Sequence, residues 1–342
     1  MNTATVDEID GMKLADLTTI AVGGEIDEFI EVDSEKDFID AIKCADKHFK
    51  KLLVLGGGSN LLPHDGRFKG CVVKYSRGAG KELDLVCQEL RIPHLAGIPG
   101  SLGGAVVQNA GAYGAEIANY LLAAKVFDRK TAEIVELNVD KMNYEYRNSA
   151  LKKSIGFLNG YSPRWIVLDA KLKEVGAEHF NVQYPRILKE LDVEQNELVD
   201  YDTFRNAVLK IRSENGVLAP SQVNADDADR QSAGSFFKNP VVDRFEIENG
   251  RILLPHYAPI YEVPGSNNLV KISAAWLIQH SGISRKYSKG AGINSKHALI
   301  LINPELSYYE KSGEELRELM RHIIVRVQEI YNIALEVEPI IM

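Results

Sequence analysis

The residues whose type and spacing first suggest chemistry are glycines. A short apolar run, Lys51–Leu55 (KLLVL), opens directly onto Gly56, Gly57, Gly58, Ser59 and Asn60. Further on comes a second glycine-rich stretch, Gly97–Gly114 (GIPGSLGGAVVQNAGAYG). Backbone N–H groups cradle a phosphate only where the chain can approach closely and adopt positive φ, which glycine permits. Neither stretch has the G-x-G-x-x-G spacing of a Rossmann turn, and the chain contains no G-x-x-x-x-G-K-[ST] loop. Taken singly, each loop reads equally well as a tight turn. Two of them in one α/β region point to a dinucleotide.

The elements around these loops must position them. Lys36–Lys50 carries Phe38, Ile39, Ile42 and Ala45 at helical spacing, so the chain reads helix, strand, glycine turn. The middle is richer in strands, at Leu122–Asp128, Glu133–Leu137 and Trp165–Val175. Thr203 is placed to cap a helix patterned by Phe204, Val208 and Ile211. Pro220–Gln231 is polar and reads as a linker. Beyond it, Lys271–Gln279 predicts a helix and Ala298–Ile302 a buried strand. Glu314–Tyr331 predicts an amphipathic helix with the stripe Leu316, Leu319, Met320, Ile323, Ile324, Val327 and Ile330. The tail Ala334–Glu338 alternates, with Leu335 and Val337 on one face and Glu336 and Glu338 on the other.

Composition narrows the class. At 342 residues two or three domains are expected, and 45% hydrophobic with 26% charged content excludes a disordered chain. Forty Lys+Arg against 48 Asp+Glu, with no long basic block, argues against a nucleic-acid binder. Residues 1–14 lack the apolar core of a secretory signal, and no run reaches the ~18–20 apolar residues of a membrane helix. Cys44, Cys71 and Cys87 are widely spaced with no C-x-x-C pair, so no metal site or disulfide framework is expected. These features predict a cytoplasmic protein without membrane insertion.

Five segments occur in a recognisable order: LGGGSNLL (Leu55–Leu62), IPGSLGGAVVQNAGAYG (Ile98–Gly114), YEYRNS (Tyr144–Ser149), GSFFKNP (Gly234–Pro240) and LEVE (Leu335–Glu338). The series resembles the UDP-N-acetylenolpyruvoylglucosamine reductase family from roughly Leu17 to Glu338, and Phe180–Leu191 with Tyr184 is similar to its long, type I branch. The resemblance implies an α+β chain with a two-subdomain FAD-binding fold of the vanillyl-alcohol-oxidase (PCMH) type. A C-terminal α+β substrate-binding domain follows. It divides the chain into 1–72 and 73–218 for FAD and 219–332 for substrate, with 333–342 returning to the first subdomain.

The same resemblance implies NADPH-dependent, FAD-mediated reduction of UDP-N-acetylglucosamine enolpyruvate to UDP-N-acetylmuramate, a step of peptidoglycan precursor synthesis, by a monomer. Residues implied to hold FAD are Gly56, Gly57, Gly58, Ser59, Asn60, Leu61, Ile98, Pro99, Gly100, Gly103, Gly104, Ala105, Gln108, Asn109, Gly111, Ala112 and Gly114. With no His or Cys inside either loop, the FAD is expected to be non-covalent. Arg147 is implied to bind the substrate carboxylate through its planar fork, Ser235 to give a proton, and Glu338 to act beside Arg147. On residue type alone, Ser235 reads as a turn cap, Arg147 as a surface arginine, and Glu336 as a rival to Glu338. Tyr113, Tyr184, Lys238, Asn239, Tyr261, Lys271 and His297 are implied substrate contacts, although on residue type His297 reads more readily as a structural histidine.

Three departures stand out. The chain between Cys71 and Gly97 is short, which predicts a thinner pocket wall or an exposed strand edge. RSENGVLAP replaces an R-x-x-K-L-P pattern, putting Asn215 where a diphosphate-binding lysine is expected. The sequence also stops four residues after Glu338. Other flavin oxidases or dehydrogenases of the same fold, and a UDP-sugar binder without catalysis, are the competing readings.

Overall fold

The structure is a computed structural model that describes residues 11–218, 223–224, 226–263 and 265–342. Chain order gives β1 (Ile26–Val32), α1 (Glu35–Lys47), β2 (Lys51–Leu55), β3 (Leu61–Leu62) and β4 (Phe68–Tyr75). β1 and β2 both run parallel to β4, which lies between them. Parallel neighbours require a crossover, and α1 supplies the one from β1 to β2. Ser34 Oγ caps α1 by accepting the Asp37 N–H at 3.1 Å. Phe38, Ile39, Ile42 and Ala45 form its buried stripe, which meets Leu52, Cys71 and Val73 of the sheet. β2 therefore delivers Gly56–Asn60 at one end of a rigid sheet. A domain boundary at residue 72 would fall inside β4, the central strand, and the core on this face continues through Tyr75 to Phe127, Ile166 and Leu168.

The next body is built on β5 (Leu121–Asp128), flanked antiparallel by β6 (Glu133–Asn138) and β7 (Trp165–Leu172). α2 (Leu83–Glu89) and α3 (Leu102–Gln108) cover it, joining Leu83, Val86, Leu102 and Val106 to Leu121, Ala124, Val126 and Val167. The short Cys71–Gly97 segment passes through a turn at Gly78–Gly80. A Cβ on Gly78 would come 2.4 Å from the Leu168 carbonyl oxygen, so the bare turn lies against β7 and covers that strand. α4 (Tyr201–Glu214) starts three residues earlier than a Thr203 cap allows. Its cap is Asp200, whose carboxylate accepts the Thr203 N–H at 3.0 Å.

The C-terminal body holds two small antiparallel sheets. β8 (Ser232–Ser235) pairs with β13 (Ile300–Ile302), which also pairs with β12 (Gly292–Ile293); β11 (Leu269–Ile272) lies between β9 (Val241–Asp243) and β10 (Ile260–Glu262). The helix expected over Lys271–Gln279 is shorter. Residues up to Ile272 pair in β11, and α5 (Ala274–Gln279) begins only after Ser273 Oγ accepts the Trp276 N–H. α6 (Ser312–Tyr331) buries Leu316, Leu319, Ile323 and Val327 against Phe236, Phe237, Leu277 and Leu301. Part of the Pro220–Gln231 linker lies outside the described residues. No helix among the described residues is long and apolar enough to cross a membrane.

After α6 the chain runs back across the molecule. Lys238 N–H donates to Glu336 O at 2.9 Å and Glu338 N–H to Phe236 O at 3.0 Å. Two residues on, Ile340 N–H donates to Asn60 O and Met342 N–H to Leu62 O, each at 3.0 Å, as β14 (Ile340–Ile341) joins β3 in parallel. A second tie comes from Asp65, whose carboxylate accepts the N–H groups of Gly313 and Glu314 at 2.7 Å and so caps α6 from the N-terminal body. Removing such a cap typically costs about 0.5–2 kcal/mol. Asp65→Ala is therefore expected to lower the unfolding free energy by that amount, read as a lower urea midpoint with an unchanged slope; an unmoved midpoint would show that α6 does not depend on this cap.

Candidate active site

The three bodies enclose a cavity of about 460 Å³, within the range of ligand sites. One wall is Gly56, Gly57, Gly58, Ser59, Asn60 and Leu61 after β2, facing Ile98, Pro99 and Gly100 before α3. Gly103, Gly104, Ala105 and Gln108 of α3, then Gly111 and Ala112, continue it. The glycines are sterically required where the loops meet: a Cβ on Gly57 would lie 2.5 Å from Gly100 Cα, and one on Gly56 2.3 Å from Ser101 Oγ. Ser59 Oγ donates to Pro99 O at 2.9 Å and locks the two loops together.

This wall fits a dinucleotide cofactor. It presents backbone where side chains cannot fit, and it leaves buried polar atoms without partners. Gln108 Oε1 and Arg212 Nε, both on cavity-lining residues, are buried and have no partner among the described residues. Such atoms are costly unless a ligand satisfies them. Two expected contacts do not reach the cavity. Asn109 is buried in a left-handed C-cap, and its amide is spent on Glu116, the Glu145 carbonyl and the Ala118 N–H. Gly114 lies off the lining, against Tyr184.

Arg147, Ser235 and Glu338 line the same cavity. Arg147 adopts a left-handed backbone, φ 54°, unusual for a long side chain. Its Nη1 donates to Asn109 O at 3.3 Å and to Glu116 Oε1 at 3.2 Å, and Nη2 donates to Gly111 O. Nε lies 3.3 Å from Glu338 Oε1. Asn109 thus holds Arg147 through its backbone carbonyl. The two tail glutamates separate by exposure: the Glu338 side chain is 17% exposed, whereas Glu336 is 74% exposed and pairs with Lys238 at 2.9 Å. Burial pushes the Glu338 carboxyl above its usual range, and Arg147, Lys152 and Lys238 pull it partly back. Ser235 ends β8, and its hydroxyl has no partner among the described residues, so it caps no turn there.

The other expected contacts divide. Tyr113 and Tyr184 line the cavity and meet edge to face, centroids 5.5 Å apart. Asn239 lines it too, while its side-chain oxygen accepts the Ala274 N–H at 2.9 Å. His297 lines it as a turn residue whose Nδ1 accepts the Leu299 N–H, and burial lowers its pKa, which favours the neutral ring. Lys238, Tyr261 and Lys271 are not part of the lining. Tyr261 pairs with Lys271 across strands, and the Lys271 ammonium lies 4.1 Å from the centre of the Tyr146 ring. Residue-level reasoning missed Tyr146 and Arg212, both of which line the cavity; Tyr146 sits inside YEYRNS, but nothing in the pattern marks Arg212. Asn215 also lines it, placing a neutral amide where a lysine was expected.

Known proteins agree with this geometry. The family description "UDP-N-acetylenolpyruvoylglucosamine reductase, C-terminal domain" matches residues 226–342. A UDP-N-acetylenolpyruvoylglucosamine reductase of Streptomyces avermitilis is 31% identical, over 98% of this chain and 95% of that protein. One from Saccharopolyspora erythraea is 32% identical, over 97% and 95%. The crystal structure of a UDP-N-acetylenolpyruvylglucosamine reductase from Thermus caldophilus superposes with a TM-score of 0.61 at 24% identity, covering 96% of this chain and 97% of that one, and so shares the fold. With relatives above 30% identity along nearly its entire length, the chain belongs to the UDP-N-acetylenolpyruvoylglucosamine reductase family.

Proposed function

We propose that Arg147, Ser235 and Glu338 carry out the family's reduction of UDP-N-acetylglucosamine enolpyruvate to UDP-N-acetylmuramate. The observation that carries this reading is their convergence from three distant segments on one cavity walled by glycine loops. The loops of Gly56–Leu61 and Ile98–Ala112 hold FAD, with Gln108 and Arg212 offering it their unpaired atoms. FAD, when bound, carries the reducing equivalent from NADPH to the terminal vinyl carbon. Residues before about 218 form the cofactor side and 219–332 the substrate side. Tyr113, Tyr184 and Asn239 line the approach for the nucleotide sugar. The three cysteines are free and the cleft is complete within one chain, which supports a cytoplasmic monomer.

The chain's own residues then handle charge and a proton. Saturating the vinyl carbon leaves negative charge shared between the neighbouring carbon and its carboxylate. Arg147 offers a planar cation to that carboxylate. Most of its donors are already engaged, so the ligand must compete with Glu338 for the guanidinium. A second anion beside Glu338 raises its pKa further, which favours the protonated carboxyl. Protonated Glu338 releases Arg147 to the substrate and donates a hydrogen bond to the developing enolate oxygen. Ser235, with its hydroxyl uncommitted, delivers the proton to the carbon beside the carboxylate.

Ser235→Ala should leave FAD content and bleaching by NADPH intact. It should slow reoxidation by the enolpyruvyl sugar about 10²–10⁴-fold, the usual worth of a positioned proton donor. Equal slowing of both half-reactions, or of neither, contradicts the assignment.

The pH dependence has a definite sign. Glu338 acts in its protonated form and its pKa is raised, so the substrate half-reaction should hold its rate through ordinary carboxylate pH and fall as pH rises through that higher value. Glu338→Gln should abolish this limb; a limb that survives the substitution belongs to another group.

A further inference from the structure

Lys152 lies five residues beyond Arg147 on a short helical turn, Ala150–Lys153. Ser149 Oγ accepts the Lys152 N–H at 3.0 Å and donates to Val107 O at 2.7 Å, which ties this turn to α3. The side chain then reaches back. Its Nζ donates to Arg147 O at 3.3 Å and to Glu338 O at 3.2 Å. These two carbonyls belong to segments almost two hundred residues apart, and both of their side chains face the cavity.

The geometry points to Lys152 as a positioning residue for the reduction step, its one ammonium fixing the backbones of Arg147 and Glu338 against each other. The inference rests on the proposed roles of those two residues. Arg147 needs such a restraint because its left-handed backbone is intrinsically disfavoured. Bonding its carbonyl holds the turn that aims the guanidinium. Bonding Glu338 O, while Glu338 N–H is held by Phe236 O, fixes both of the peptide groups that flank the Glu338 Cα.

The charge of Lys152 matters as well. The groups facing it are Glu338 and Glu336 from the tail, Lys238 after β8, and Arg147. Burial lowers its pKa to about 8, so the ammonium form still prevails at neutral pH, where it restrains the rise in the Glu338 pKa. Lys152 thereby sets both the place and the proton affinity of the carboxyl.

Stopped-flow spectroscopy of the FAD-loaded enzyme tests this. Lys152→Met should be bleached by NADPH as the wild type is, yet be reoxidised by the enolpyruvyl sugar 10- to 100-fold more slowly. Its alkaline limb should move to higher pH, because one cation facing Glu338 is gone. Lys152→Gln keeps two donors without charge, so it should regain part of the rate and retain the displaced limb; it also serves if the Met variant fails to fold. A Lys152→Met enzyme with wild-type rate and limb overturns the assignment alone, as does equal slowing of both half-reactions with an unmoved limb. A wild-type enzyme that the sugar fails to reoxidise overturns the proposed function and this assignment together.

Discussion

Four backbone hydrogen bonds of the C-terminal segment hold the active site together. Glu336 and Glu338 pair with Lys238 and Phe236; Ile340 and Met342 pair with Asn60 and Leu62. One extended stretch thus joins the strand carrying Ser235 to the loop that walls the cofactor side. Because side chains alternate along extended chain, register decides everything here. A slip of one residue would turn Glu338 outward and bring Val337 toward Arg147. Leu335, buried under α6 with Phe236 and Phe237, supplies the apolar anchor that forbids the slip.

The second constraint is electrostatic. Arg147 is largely removed from water and held by two carbonyls and two carboxylates. A desolvated cation with so many partners is stable but not idle, since exchanging one carboxylate for another costs little. Protonation of Glu338 is the natural means of exchange, and burial has already moved that carboxyl toward it. The glycine wall works on the opposite principle: its two loops are already locked together by close backbone approach and by Ser59, so they need little reorganisation when a cofactor arrives.

Much of the architecture was legible because it rests on local rules. The stripe Phe38, Ile39, Ile42 and Ala45 placed α1, and KLLVL matched β2 end to end. Caps were less legible: Asp200 and Thr203 are both able to cap, and only packing selects the first. Over Lys271–Gln279 the apolar spacing suited a helix, but pairing with β9 and β10 claimed the first two residues as strand. At the site, alternation put Glu336 and Glu338 on one face, and no local rule says which end of that face is covered. Asn109 stands in a glycine-rich loop, and nothing in that pattern shows that its left-handed cap ties its amide to Glu116 and its carbonyl to Arg147. Lys152 and Arg212 gave no signal at all, since their burial depends on segments far away in sequence. The short stretch after Cys71 likewise gave no sign that Gly78 lies against the Leu168 carbonyl of β7.

The central claim is that a substrate carboxylate on Arg147 brings the adjoining carbon to Ser235. A crystal structure of the FAD-loaded chain with the enolpyruvyl sugar bound tests it most directly. It should show the carboxylate against the Arg147 guanidinium and Ser235 Oγ within about 3–3.5 Å of the carbon beside it, the separation of a near-attack arrangement. An enolpyruvyl group seated instead at the Lys238–Glu336 rim, with Ser235 turned away from it, would contradict the account.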